Sequence, residues 1–153
     1  MNLIDTFRPL LDAANGLDLT RPDVARDTLT RRFDPRGAKA RALNAELVAL
    51  MEAGRIAERG AMPVKFGRVT KATPESSDFS IDVVHMDGPG PHHRHPRGEV
   101  NYCIALDGEP RFDGESAGWV VMPPDSAHVP TVSGGRMLIV YLLPQGQIEF
   151  SKT

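Results

Sequence analysis

The segment Gly90-Pro91-His92-His93-Arg94-His95-Pro96-Arg97-Gly98-Glu99 gathers three histidines and a glutamate into ten residues. On an extended chain, side chains two apart project to the same face. His93 and His95 therefore point together, and Glu99 opens the next apolar stretch in matching phase. A fourth candidate, His128, closes Pro123-Pro124-Asp125-Ser126-Ala127-His128, after an apolar run and a tight turn. Three imidazoles and one carboxylate suit a borderline divalent metal such as Fe, Mn, Zn, Ni or Co. Four protein ligands on an ion that accepts five or six leave positions for water or substrate. A proline-flanked His-x-His alone would equally suit a solvated loop. The glutamate four residues on, and the distant histidine, favour a metal site. His92 replaces His93 only if the strand register slips by one, which puts it out of phase with His95.

Outward from this segment the chain divides near residue 60. All five histidines and ten of the 13 prolines lie beyond it. Phe79, Ile81 and Val83 alternate with Ser80 and Asp82, the mark of a half-buried strand. Val100, Tyr102 and Ile104 alternate with Glu99, Asn101 and Cys103, while Trp119–Met122 and Met137–Leu143 are compact apolar runs. Asp87-Gly88-Pro89-Gly90, Asp107-Gly108, Asp113-Gly114 and Ser133-Gly134-Gly135 read as turns between strands. Short strands at this spacing predict an antiparallel sandwich or barrel over residues 61–153.

Residues 1–60 carry helical spacing instead. Ile4, Phe7, Leu10 and Leu11 form one stripe that stops at Asn15-Gly16. Thr20, Pro22 and Asp23 read as a helix start, followed by Ala25, Leu29 and Phe33 at steps of four. Asp34-Pro35 reads as the cap of a last helix with Leu43, Leu47, Leu50 and Met51 on one face, ending at Gly54. Two or three helices are expected, covering a sheet within the same domain and offering a surface for a homodimer.

Composition excludes several classes. Of 153 residues, 25% are charged and 41% hydrophobic, enough for the core of one domain. A net charge of -2 gives no basis for nucleic-acid or anionic-membrane binding. The longest apolar run, Met137–Leu143, is far short of the roughly 20 residues a membrane helix needs. Met1-Asn2-Leu3-Ile4-Asp5 has no basic region leading into an apolar stretch, so no secretory signal is expected. Cys103 is the only cysteine, which rules out an intrachain disulfide and fits a cytoplasmic protein.

The sequence resembles the cupin superfamily, a mainly β fold (double-stranded β-helix or jelly-roll barrel), here with an N-terminal helical segment. His93, His95 and Glu99 match the first cupin motif, and Gly118, Pro123 and His128 the second. Gly88 stands five residues before His93 instead of six, and Gly108 arrives two residues late after Glu99. Asp125 takes the place of a motif glycine, and Val132 that of the closing asparagine. These departures touch turns, not ligands. Within the superfamily, the chain resembles the small 4-hydroxylaminobenzoate lyase family. The resemblance lies in Pro91–Glu99, in Ala117–Val121 with Pro124–Val132, and in the ending Leu142–Phe150.

That resemblance implies conversion of 4-hydroxylaminobenzoate to 3,4-dihydroxybenzoate and ammonia during nitroaromatic breakdown. The chemistry is like a Bamberger rearrangement: the N–O bond breaks heterolytically, water adds to the ring, and an imine hydrolyses to release ammonia. A metal on His93, His95, Glu99 and His128 would polarise the departing hydroxyl. His92 or His85 would shuttle protons near neutral pH. The substrate carboxylate calls for a forked cation; Arg94, Arg97, Arg111 and Arg136 are available, and Arg111 and Arg136 stand in strand-like contexts. Tyr141 and Trp119 sit on apolar strands, either to pack the core or to stack on an aromatic substrate, and Tyr141 is the candidate for the substrate. Asn101 and Cys103 share the phase of Glu99 and line the interior, with Cys103 a small apolar filler. Two other functions fit the same ligand set: a cupin dioxygenase that consumes oxygen, and a non-enzymatic effector-binding cupin.

Overall fold

The computed structural model describes residues 2–151. Four helices come first: Leu3–Thr6 (α1), Arg8–Ala14 (α2), Pro22–Arg32 (α3) and Ala38–Glu52 (α4). The expected first stripe is intact, with Phe7, Leu10 and Leu11 fully buried, but it breaks at Phe7 into two short helices. Pro9 in the first turn of α2 fits there because that turn's N–H groups lack intrahelical partners anyway. Two expected caps do not form. The Thr20 hydroxyl donates to Asp18 at 2.6 Å, and α3 begins from Arg21. Asp34 accepts the Arg36 N–H at 2.9 Å in a turn of its own, so α4 starts later, from Gly37. Both polar side chains satisfy a local turn in preference to a helix end. No described helix is long and apolar enough to cross a membrane.

Nine strands follow: Arg59–Ala61 (β1), Val64–Thr70 (β2), Phe79–Met86 (β3), His93–His95 (β4), Glu99–Phe112 (β5), Gly118–Met122 (β6), Ser126–His128 (β7), Val132–Pro144 (β8) and Glu149–Phe150 (β9). They form a six-stranded antiparallel sheet in the order β1-β2-β3-β8-β5-β6 and a three-stranded sheet in the order β7-β4-β9. From β3 to β9 the chain passes back and forth between the two sheets, except at the β5–β6 hairpin, which stays within the large one. This is the mainly β jelly-roll architecture of cupins, with a helical segment in front.

Both faces of the large sheet are buried. Ile81, Val83, Tyr102, Trp119 and Leu138 pack on the helices, while Val84, Met86, Cys103, Ile139 and Tyr141 face the small sheet. Strand β3 is therefore buried on both sides, not half-buried as its alternation suggests. Two polar anchors fix the helices: Trp119 Nε1 donates to Phe33 O at 2.9 Å, and the Tyr102 hydroxyl donates to Asn44 at 2.8 Å.

Two of the expected turns are not turns. Strands β5 and β8 run straight through Asp107-Gly108 and Ser133-Gly134-Gly135, which face one another with shifted register. A Cβ on Gly108 would lie 2.4 Å from Gly134 O, and one on Gly135 2.2 Å from Asp107 O. Glycine here permits a paired bulge with close backbone approach, which bends the strands without ending them.

Candidate metal centre and its cavity

Strand β4 is only three residues long, and its alternation sends His93 and His95 inward while Arg94 turns outward to ion pairs with Glu149 and Asp125. A turn through Gly98, at φ 88°, then carries the chain into β5 with Glu99 facing the same interior. His128, the last residue of β7, pairs directly across from His93. The four ligating atoms lie within 4.8 Å of one another. His93 Nε2 and His95 Nε2 each stand 3.3 Å from Glu99 Oε2, and His128 Nε2 is 3.0 Å from His93 Nε2. The sequence grouped these four residues, and the structure brings all four together.

The far sides of two rings determine which nitrogen faces the cluster. Ser126 Oγ donates its proton to Pro123 O at 2.6 Å, so it must accept from His95 Nδ1 at 2.9 Å. His128 Nδ1 donates to the Asp113 carboxylate, whose other oxygen accepts the Thr131 N–H at 2.9 Å. In their neutral forms both rings thus turn a bare Nε2 lone pair toward Glu99. Burial pushes the His95 pKa down to about 4, against the pull of Glu99, so the ring is neutral at pH 7. For Glu99, burial opposes its charge. The His93 ring 3.3 Å away and the fields of His95, His93 and His128 outweigh that, holding it below the usual carboxylate range.

Glu99 Oε1 and Oε2 and His95 Nε2 are fully buried without a hydrogen-bond partner. Left so, such groups cost about 1–3 kcal/mol each, and more when charged. Three imidazole nitrogens and one carboxylate gathered within 4.8 Å of one another fit a divalent metal.

His93 also forms part of the wall of a cavity of about 630 Å³ between the sheets, within the range of small-molecule sites. Its lining is mostly apolar, with Phe66, Val84, Met86, Ile148 and Phe150 prominent, and Tyr141 among them. The Tyr141 hydroxyl is buried with only Met86 Sδ, at 3.7 Å, as partner. Burial and the charge of Glu99 raise its pKa well above 10, so it keeps its proton. Burial likewise pushes the Cys103 thiol up, which suits a packing role.

Other sequence candidates lie elsewhere. His92 is exposed and bonded to Ser151 on the outer surface. His85 points to the opposite face of β3, 3.1 Å from Arg136 Nη1. Arg136 is held by Asp107 at 2.7 Å, and Arg111 reaches Gly114 O at the β5–β6 hairpin. None of these four lines the cavity. Its cations are Arg59 and Arg68, on strands whose sequence carries no motif. Asn101, buried with both amide atoms unpartnered, is a further interior polar group. Its shared phase with Glu99 was the available signal.

A family model described as PnbB, 4-hydroxylaminobenzoate lyase, matches residues 12–150. The chain belongs to this family. A 4-hydroxylaminobenzoate lyase of Nocardioides sp. (strain LMS-CY) is 33% identical over 94 residues, 56% of this chain and 56% of its own length. One of Pseudomonas putida is 32% identical over 99 residues, 54% of this chain and 56% of its own. This member of the lyase family thus spans about half the length of the curated relatives it matches. Among solved structures, an RmlC-like cupin protein of Ralstonia eutropha JMP134 aligns at TM-score 0.42 and 14% identity, over 59% of this chain and 60% of that one. Salicylate 1,2-dioxygenase of Pseudoaminobacter salicylatoxidans aligns at TM-score 0.39 and 12% identity, over 75% and 36%. The jelly-roll assignment rests on the strand order itself.

Proposed function

We propose that this chain is a metal-dependent lyase that takes 4-hydroxylaminobenzoate and water to 3,4-dihydroxybenzoate and ammonia. One observation carries the proposal: an unsatisfied, inward-facing His3Glu cluster that meets, through His93, an apolar cavity large enough for a substituted benzene. Family membership supplies the substrate class. His93, His95, Glu99 and His128 would hold the ion, which supplies Lewis acidity to the departing hydroxyl.

The chain's own groups do the rest. Ser126 and Asp113 hold His95 and His128 in the ligating tautomer. Val84 and Met86 give the cavity a buried apolar wall that strengthens polar contacts against it, and Phe66 and Phe150, both half-exposed, add apolar surface on its solvent side. Tyr141 keeps its proton and presents it as a hydrogen-bond donor inside the cavity. Residues 1–60 belong in this proposal to the same domain as the 61–153 barrel, because the helices share one core with the large sheet.

The test is turnover of 4-hydroxylaminobenzoate by metal-loaded protein under anaerobic conditions. Equal yields of ammonia and 3,4-dihydroxybenzoate, lost with the metal in a folded His95→Ala variant, are expected. No turnover by loaded protein would overturn the proposal, and turnover that begins only when oxygen is admitted, with oxygen consumed, would move the site to dioxygenase chemistry.

A further inference from the structure

One row of the large sheet is polar on its inner face. Arg68 on β2 stands opposite Asp82 on β3, Asp82 opposite Tyr141 on β8, and Tyr141 opposite Asn101 on β5. The adjacent inner row, Val84, Ile139 and Cys103, is apolar. At about 4.8 Å per strand, the polar row spans roughly 14 Å from Arg68 to Asn101. Its inner end lies two residues along β5 from Glu99, and its outer end is at the cavity wall.

Arg68 is held there. Its Nε and Nη2 donate to the two Asp82 oxygens at 2.9 and 3.2 Å, and this pairing raises its pKa further. A guanidinium has five N–H groups, so Asp82 leaves both on Nη1 and one on Nη2 free. The free edge suits a planar carboxylate taken through two parallel hydrogen bonds. Of the other cavity charges, Arg59 is 76% exposed and lies 4.0 Å from Glu58, so those two offset each other without a fixed geometry. Asp82 is neutralised by Arg68 itself.

We propose that Arg68 binds the carboxylate of the aromatic substrate, so that the ring lies along the polar row and its opposite substituent reaches the His3Glu cluster. Arg68 thereby takes the role for which Arg111 and Arg136 stand too far outside. The inference rests on the lyase proposal for the substrate's identity, but its test does not need turnover.

The probes are 4-aminobenzoate and aniline, which share the ring and amine and differ in the carboxylate. Titration calorimetry on the full chain should show 4-aminobenzoate binding about ten- to a hundred-fold tighter than aniline. Arg68→Gln should abolish that preference while leaving aniline affinity and metal content unchanged, and Arg68→Lys should restore part of it. Because Arg68→Gln strips Asp82 of its partner, R68Q/D82N is measured beside it, as a folded variant without the stranded charge. A preference that survives in both, one that disappears in Arg59→Gln instead, or none in the parent protein would overturn the assignment. If the preference holds and depends on Arg68 while 4-hydroxylaminobenzoate is not turned over, the lyase proposal fails and the carboxylate site stands.

Discussion

On the helix side of the large sheet, each long polar side chain that is buried has found a partner. Tyr102 reaches Asn44, and Trp119 reaches the carbonyl of Phe33. On the opposite side the same strands bury Glu99 and Asn101 with neither amide nor carboxylate satisfied, and Tyr141 with only a sulfur nearby. Burial is equally deep on the two faces: Trp119 and Tyr102 are 1% exposed, Glu99 and Asn101 0%. What separates them is satisfaction. Buried polar groups in folded chains are nearly always hydrogen-bonded, so a concentration of orphans on one face marks where a ligand completes the structure. The helix face holds the sheet's shape, and the inner face stores unsatisfied groups against that rigid backing.

The largest effect should come from damaging the satisfied face. Trp119 packs edge-on against Phe33 and Tyr102, with ring centroids at 6.3 and 5.0 Å. Trp119→Ala leaves a cavity and strands the Phe33 carbonyl, for a loss of about 3–5 kcal/mol. For a chain of this length that lowers Tm by roughly 10 °C. Metal stoichiometry at 25 °C should stay near that of the parent protein, since no ligand touches the indole. If calorimetry shows the expected fall in Tm but elemental analysis shows the metal gone, the two faces are not independent.

A smaller effect is expected from loosening the ligand face without removing a ligand. Asp113 uses one oxygen for the Thr131 N–H and the other for His128 Nδ1. An asparagine has only one such oxygen. Its amide must face either the Thr131 N–H, donor against donor, or His128 Nδ1, which forces the proton onto Nε2 and spoils the ligand. Asp113→Asn should therefore weaken metal binding about 10- to 100-fold with little change in the apo-protein's Tm. Competition against a chelator measures this, and unchanged affinity would show that Asp113 does not orient the ring.

The same contrast accounts for what the sequence could disclose. His93, His95 and Glu99 were legible because period-two alternation is local, and His128 because a proline turn and a strand precede it. The helix cover was legible from its stripes, though Thr20 and Asp34 spent their side chains on turns. Facing, however, is set by register between distant strands. On β3, Ile81 and Val83 face the helices while Val84 and Met86 face the cavity. With both faces apolar, nothing in the sequence tells which side His85 takes. Arg68 was illegible for the same reason: only the pairing of β2 with β3 sets it against Asp82 at the cavity wall. Gly108 and Gly135 looked like turn residues because the sequence cannot show that they sit opposite one another.

The smallest effect tests whether an orphan is a cost at all. Asn101 is 0% exposed, and its Nδ2 and Oδ1 have no partner in the protein. If those groups are truly unsatisfied in the free chain, they destabilise it, and an apolar residue of similar size relieves the cost. Asn101→Leu should raise the stability of the apo-protein by about 1 kcal/mol, or roughly 2–4 °C in Tm. It should also reduce turnover, since the inner end of the polar row is lost. A gain in stability paired with a loss of activity identifies Asn101 as a group kept for its ligand. A fall in Tm would mean that the amide is already hydrogen-bonded in the free protein, through a buried water bridging it to its neighbours. The inner face would then be wet and satisfied at that point, and the contrast between the faces would narrow to Glu99 and the histidines alone.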